Sequence, residues 1–237
     1  MTNILITICA RGGSKGVKNK NVRPLMGRPL ISYTINQAKN WSRSSDIVVS
    51  TDSPEIAHVA REYGASTPFM RPDSLAGDTA PKVPVIKHAL MECEKIFNKK
   101  YDLIVDLDTT SPIRDPEDLE NCYQKFMANK PQLLFSVVPA HRNPYFNMVE
   151  EQSDGFAKLC KQLPARVTRR QDAPRVYDMN ASIYFYDRNF LLREDCVESF
   201  FEKSIIYEMN ELSGYDIDRE IDFTYMEFLI KEGLIKI

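Results

Sequence analysis

The first 45 residues contain no aspartate or glutamate. The cations there stand unopposed: Arg11, Lys15, Lys18, Lys20, Arg23, Arg28, Lys39 and Arg43. Yet the formal net charge is −2, so the acids crowd into the rest of the chain. A basic segment on a mildly acidic protein points to a local anion site. It argues against a nucleic-acid surface, because the domain as a whole is not basic and carries no nucleic-acid motif. Cysteine is scarce and unpaired. Cys9, Cys93, Cys122, Cys160 and Cys196 are odd in number and form no C-x-x-C. That excludes a zinc framework and suggests reduced thiols in a cytoplasm. No run of eighteen apolar residues exists, which excludes a membrane-spanning helix. The apolar stretch Ile4 to Ala10 is too short for a signal core plus cleavage site, and no basic region precedes it. Histidine is also scarce. His58 and His88 fall on helical segments and read as structural, while His141 in HRNPYF could reach a pocket rim. No Ser-His-Asp or Cys-His arrangement follows from the spacing.

What is present is ordinary for a soluble globular chain: 43 % hydrophobic and 27 % charged residues, which excludes disorder. A length of 237 residues suits one large domain. Asn3 to Cys9 is an isoleucine-rich apolar run, as in a buried strand. A long polar loop follows. Pro29 opens an amphipathic helix to about Asn40. Asp46 to Ser50 reads as a strand, and Pro54 to Tyr63 as a helix ended by Gly64. Pro84 to Phe97 reads as a helix and Leu103 to Leu107 as a strand. Asp115 to Ala128 reads as a helix with Asp115 and Pro116 as cap and first turn. The alternation predicts a parallel sheet with helices on both faces. After the strand Leu133 to Val138 the rhythm breaks. Pro139 to Pro174 holds short strand-like pieces and reads as an arm. Asn180 to Tyr186 is a strand and Asp222 to Glu232 a final helix.

Ligands of open α/β sheets bind beyond the carboxyl ends of the strands. Three such ends are polar here: Arg11, the triplet Ser50-Thr51-Asp52, and the run Asp108-Thr109-Thr110-Ser111. In ARGGSKG, the glycines Gly12, Gly13 and Gly16 would let backbone N–H groups approach an anion. Arg11, Lys15 and Lys20 would neutralise a triphosphate, and Ser14 would donate a hydrogen bond. The loop is neither a Walker A nor a GxGxxG fingerprint, and a solvated turn has the same composition. Near the other end, GYDIDREID sets Asp216 and Asp218 two apart, on one side of an extended segment. A carboxylate pair suits Mg²⁺ bound with substrate phosphates. Helix capping is the simpler use of such aspartates, and Asp222 reads as a cap or ion-pair partner. Arg71 and Asp78, in RPDSLAGDTAP, either bind substrate or pair with each other. Arg169 and Arg170 in TRRQDAP either meet a carboxylate ligand or form a solvated run.

The motifs ARGGSKGVKNKN, RPDSLAGDTA, LDTTSPIR, MNASIYFYD and YDIDREID, in this order over nearly the whole chain, resemble the CMP-acylneuraminate synthetases. The related cytidylyltransferases for the eight-carbon acid Kdo carry different middle motifs. The resemblance implies a single three-layer α/β/α nucleotidyltransferase domain over residues 1–237, with a mostly parallel sheet. It also implies a homodimer built through an arm at residues 139–174. It implies CTP and a nine-carbon acidic sugar as substrates, Mg²⁺ as cofactor, and no nucleic-acid or membrane partner. Arg11, Gly12, Gly13, Ser14, Lys15, Lys20 and Asn21 match the CTP loop. Arg71 matches a nucleotide-side arginine and Asp78 a nearby pocket residue. Asp216 and Asp218 match metal ligands, and with Arg11 and Lys15 they make the catalytic set. Arg170 matches an arginine that meets the sugar carboxylate from the partner subunit. Asp108, Thr109, Asn180 and Tyr184 match the sugar side.

Three departures fall on that sugar side. Enzymes acting on sialic acid commonly have glutamine at Asp108, a basic residue at Asp178 and glycine at Ala181. The reaction is therefore expected to be kept and the sugar to differ, with the DLD-T-TSP form resembling relatives that activate legionaminic acid. Two rival readings remain. Asp106 and Asp108 in VDLD form the DxD pair of a nucleotide-sugar glycosyltransferase, and a binding module would hold CTP without turnover.

Overall fold

The computed structural model describes residues 2–165, 167–198 and 203–237. In chain order its elements are β1 (Ile4–Cys9), β2 (Pro24–Leu25), β3 (Arg28–Pro29), α1 (Leu30–Asn40), β4 (Asp46–Ser50), α2 (Pro54–Glu62), α3 (Lys82–Phe97) and β5 (Leu103–Leu107). There follow α4 (Asp118–Asn129), β6 (Leu133–Pro139), β7 (Val149–Glu151), β8 (Ala157–Leu159), β9 (Tyr177–Asp187), α5 (Arg188–Leu191), β10 (Ser204–Glu208) and α6 (Glu220–Lys231). Six strands form one sheet in the order β10-β6-β9-β5-β1-β4. β9 runs antiparallel to both its neighbours, and the other pairs are parallel. The sheet is thus mostly parallel, with one reversed strand at its centre.

Alternation along each strand divides the core. Ile4, Ile6 and Ile8 of β1 pack with α1, α2 and α4 through Ile31, Ile35, Ile56 and Phe126. Leu5 faces the opposite side, where Ile86 and Leu90 of α3 and Phe190 of α5 cover the sheet. This is the expected three-layer arrangement, and strands buried on both faces explain the continuous apolar runs. A third cluster lies under α6, where Phe223, Met226 and Leu229 meet Val17, Leu30 and Ile217. It ties the C-terminal helix to the loop after β1.

Several element bounds differ from the sequence reading. α4 begins at Asp118, because Asp115 to Glu117 form a turn in which the Asp115 amide donates to Asp118 Oδ2 at 2.7 Å. α3 starts two residues early, so Pro84 sits inside its first turn. α6 starts at Glu220, and Asp222 closes a capping box with Arg219, which is the capping role read from the sequence. β10 pairs in parallel with β6 and was not foreseen. Residues 139–174 carry the exposed hairpin β7–β8 and a short 3₁₀ turn at Arg170–Asp172. No helix among the described residues is long and apolar enough to cross a membrane.

β9 also carries a bulge opposite β6, where the register shifts between Phe135 and Val137. At this point Ala181 adopts φ +54°. A left-handed non-glycine residue costs about 1–2 kcal/mol, and glycine would return about 0.5–1 of that through the unfolded chain's entropy. Ala181→Gly is expected to raise stability by up to about 1 kcal/mol, read as a higher urea midpoint at unchanged slope. A lower midpoint would show that the packing of the Ala181 methyl against the α3-side core outweighs the backbone strain.

Candidate functional site: a cation loop joined to a carboxylate pair

The polar ends of β1, β4 and β5 lie side by side because their strands are neighbours in the sheet. Each loop is tied to the next. The Ala10 amide donates to Ser50 O at 3.1 Å, and the Gly12 amide donates to Asp52 Oδ1 at 3.0 Å. The Asn21 side chain donates to Arg11 O at 3.0 Å, and Thr109 Oγ1 donates to Asn21 Oδ1 at 2.6 Å. Asn21 is therefore the peg between the first loop and the third. Arg71, 6 % exposed, donates to the Ser50 carbonyl and hydroxyl. Around these contacts opens a cleft of about 310 Å³, lined by Arg11, Ser14, Lys15, Lys20, Arg71 and Asp108 among others.

The C-terminal carboxylates reach this cleft from 200 residues away in sequence. Ile217 is buried beneath α6, and its amide donates to Thr110 O at 3.0 Å. That anchor leaves Asp216 and Asp218 on either side of it exposed. Lys20 Nζ donates to Ile217 O at 2.7 Å and to Asp218 Oδ1 at 3.1 Å. A Cβ on Gly16 would overlap the Asp218 carbonyl oxygen, so only glycine lets the loop pass this close. Asp216 sits at the rim near Ser111 Oγ, 3.5 Å away. Although the residue reaches solvent, protein crowds its carboxyl. That burial raises its pKa, helped by the charges of Asp108 and Asp218. A cation between Asp216 and Asp218 would relieve the repulsion. Among the described residues, no three His, Cys, Asp or Glu side chains gather to hold a metal unaided. The donor set fits Mg²⁺, which takes one or two carboxylates and completes its shell with water and phosphate oxygens.

Other residues fall in places that spacing could not settle. Asp78 does not pair with Arg71. It accepts from both Arg11 and Lys15, and hydrogen bonds first from Lys15 and then from Arg11 lower its pKa. The loop cations are therefore held by a carboxylate of the same cleft. Asn180 lies behind the wall, 6 % exposed. Its amide is committed to Ser136, Ser213 O and the Met209 sulfur. Tyr184 is buried in the α3-side core and lies under Lys82. Arg170 belongs to a separate hollow with Arg175 and Gln171, where it donates to Ala140 O at 3.0 Å. So one chain brings Arg11, Ser14, Lys15, Lys20, Asn21, Asp108, Thr109 and Asp218 to one cleft, with Asp216 beside Ser111; Gly12 and Gly13 do not line the cleft. It does not bring Asn180, Tyr184 or Arg170 to it. Lys82 and Arg114 carry no local signal in the sequence, because their partners are distant. Buried Arg114 donates to the carbonyls of Asp108 and Ser182 and holds the third loop to β9.

A family model described as cytidylyltransferase matches residues 5–235. The chain belongs to the cytidylyltransferase family. It is 47 % identical over 232 residues to the post-translational flagellin modification protein B of Campylobacter coli, covering 98 % of this chain and 97 % of that one. It is 46 % identical over 230 residues to the CMP-N,N'-diacetyllegionaminic acid synthase of Campylobacter jejuni, covering 97 % and 96 %. Among solved structures, a CMP:2-keto-3-deoxy-manno-octonic acid synthetase superposes with a TM-score of 0.70 at 16 % identity, covering 98 % of this chain and all of that one. That likeness fixes the fold of this cytidylyltransferase. Family membership makes the chain an enzyme of the nucleotidyltransferase type and sets aside the glycosyltransferase and the non-catalytic module.

Two outcomes follow for the cytidylyltransferase. Gly16→Ala should push the loop off Asp218 and cost about a hundredfold in kcat/KM, the scale of a 1 Å misplacement. Wild-type turnover in folded protein would show that the loop can retreat freely. Asp216→Asn should raise stability at pH 7. The raised pKa means the folded state favours the protonated form, so ionisation costs stability as pH rises through it. Urea midpoints should therefore differ at pH 7 and converge near the acid end. A less stable Asp216→Asn at pH 7 would mean that the carboxylate's hydrogen bonds outweigh the repulsion.

Proposed function

We propose that this cytidylyltransferase transfers CMP from CTP to a nonulosonic acid of the legionaminic type and releases pyrophosphate. The observation that carries this is the join at Lys20, which sets the loop cations beside Asp218 in one cleft, with Asp216 two residues before it. A triphosphate needs cations on its oxygens, and the two carboxylates give a metal bound to it a protein anchor. The 46 % identity to a legionaminic acid synthase over the full length and the DLDTTSPIR form at Asp108 support the sugar class.

The anomeric hydroxyl of the sugar attacks the α-phosphorus of CTP. The O–P bond forms as the bond to pyrophosphate breaks, and the hydroxyl proton leaves to a base or water. The protein's work is positioning and charge neutralisation. Arg11 and Lys15 move from Asp78 onto the phosphates and offset charge as pyrophosphate departs. Ser14 and the amide of Gly13 complete the cradle, while the Gly12 amide ties the loop to Asp52. Arg71 fixes the nucleotide side by holding the end of β4. Asp216 and Asp218 would hold Mg²⁺, which when bound polarises the phosphate and screens its charge. Asp108 and Thr109 face the sugar. Arg170 acts from the partner subunit of a homodimer, which accords with its distance from the cleft of its own chain. Asn180 and Tyr184 shape the sugar side from behind the wall.

The test is pyrophosphate release from CTP and Mg²⁺ with N-acetylneuraminate, N,N'-diacetyllegionaminate, pseudaminate and Kdo in parallel. The legionaminate should give the highest kcat/KM, and Arg11→Ala and Asp218→Asn should each lose about a hundredfold. A higher kcat/KM with N-acetylneuraminate would overturn the sugar assignment. No release with any of the four would overturn the transfer itself, and a monomeric mass in solution would remove Arg170 from the site.

A further inference from the structure

Lys82 stands where local electrostatics disfavour it. It is the first residue of α3, whose first turn holds no acid, and a cation at a helix N-terminus opposes the helix dipole. Residues that break a local rule are commonly held by something distant. Here the distant groups are on β5 and just beyond it. Lys82 Nζ lies 3.0 Å from Asp106 Oδ2 and 2.8 Å from Asp108 Oδ2, above the Tyr184 ring at 4.9 Å from its centroid. The remaining oxygens are already taken. Asp106 Oδ1 accepts from Thr7 Oγ1 at 2.7 Å and from the Cys9 thiol at 3.4 Å. Asp108 Oδ1 accepts from the Thr110 amide and hydroxyl at 3.0 and 2.9 Å. Asp106 is fully buried, and a buried carboxylate without a counter-charge is costly.

Two aspartates spaced i, i+2 that converge on one cation form the arrangement by which a DxD pair grips a divalent ion. In this chain an ammonium fills that place. We infer that Lys82 is a positioning residue that acts as the resident cation of the Asp106–Asp108 pair, keeping a metal ion off that pair and holding the Asp108 carboxylate against the cleft wall. The consequence is a division of labour between two carboxylate pairs. Asp218 is exposed and shares only Lys20, so it and Asp216 can take a metal that arrives with substrate, while Asp106 and Asp108 are neutralised from within. The three charged groups sum to −1, and buried Arg114, which donates to the Asp108 carbonyl, adds a further cation beside the pair. Burial alone would raise the Asp108 pKa, but Lys82 and Thr110 more than offset it and hold the carboxyl far below its usual range.

The structural arm of this inference is independent of the reaction, and only its kinetic arm rests on the proposed function. The probe is Mn²⁺ alone, counted by electron paramagnetic resonance on the full chain without nucleotide. Lys82→Ala should bind one more Mn²⁺ per chain than wild type over the same range of free ion. The double variant Lys82→Ala/Asp106→Asn should return to the wild-type count, and Lys82→Arg should never leave it. In the pyrophosphate assay Lys82→Ala should lose at least about tenfold in kcat/KM, the effect of a change near 1.4 kcal/mol, and Lys82→Arg should recover most of that. If Lys82→Ala does not fold by circular dichroism, Lys82→Gln carries the same comparison. An unchanged Mn²⁺ count in the folded lysine variant would overturn the inference. So would an extra ion that persists once Asp106 is neutral.

Discussion

Carboxylates and phosphates repel one another, so a cleft meant for both needs a cation that belongs to neither. Lys20 is that cation. Its ammonium spans from the Ile217 carbonyl to the Asp218 carboxylate, joining the loop after β1 to the segment before α6. Nothing covalent brings these two stretches together. Their approach depends on Ile217, buried beneath α6, and on Gly16, which alone leaves room for the Asp218 carbonyl. The third apolar cluster therefore has a functional meaning: packing Val17 and Ile217 together sets the distance between the cation loop and the carboxylate pair.

A second consequence is that charge in the cleft is balanced before any ligand binds. Asp78 holds Arg11 and Lys15, Lys20 holds Asp218, and Lys82 holds Asp106 and Asp108. A run of unopposed cations would repel itself and order poorly. Pairing Arg11, Lys15 and Lys20 keeps the loop in place. The pairs differ in cost to break. Asp78 is about a third exposed, and exposed pairs are worth little, so a triphosphate can displace it. Asp106 is wholly buried, and its partner cannot be withdrawn without leaving a bare charge in the core. The exposed pair suits exchange and the buried pair suits permanence.

Much of the fold was legible in the sequence, for a physical reason. Strands buried on both faces must be apolar throughout, so β1, β4, β5 and β6 stood out as runs, and the helices between them showed their caps and stops. The misreadings cluster where one signal has two uses. Asp115 and Pro116 suit a helix start, yet they form the turn before it, because Asp118 takes the Asp115 amide. β10 is short and only partly buried, so its pattern was weak without its partner β6. The reversal at β9 is a matter of connection, which periodicity does not record.

The site was legible in its parts and not in its wiring. The glycine-rich loop and the paired aspartates are local signals, and each could be found from spacing. Which cation meets which carboxylate is not local. Lys20 and Asp218 are 198 residues apart, and Lys82 meets Asp108 across 26. The departures from the sialic acid pattern show the same limit. Ala181 looked like a change in the sugar pocket, yet it occupies a left-handed position in a bulge of β9. That bulge aims Asn180 at Ser136 and at Ser213 O, away from the cleft, while Ser111 Oγ donates to Asn180 O at 2.9 Å. The residue after Asn180 thus bears on the third loop through the backbone. Ala181 answers to the chain's geometry, and of the three expected departures Asp108 lines the cleft while Asp178 and Ala181 do not.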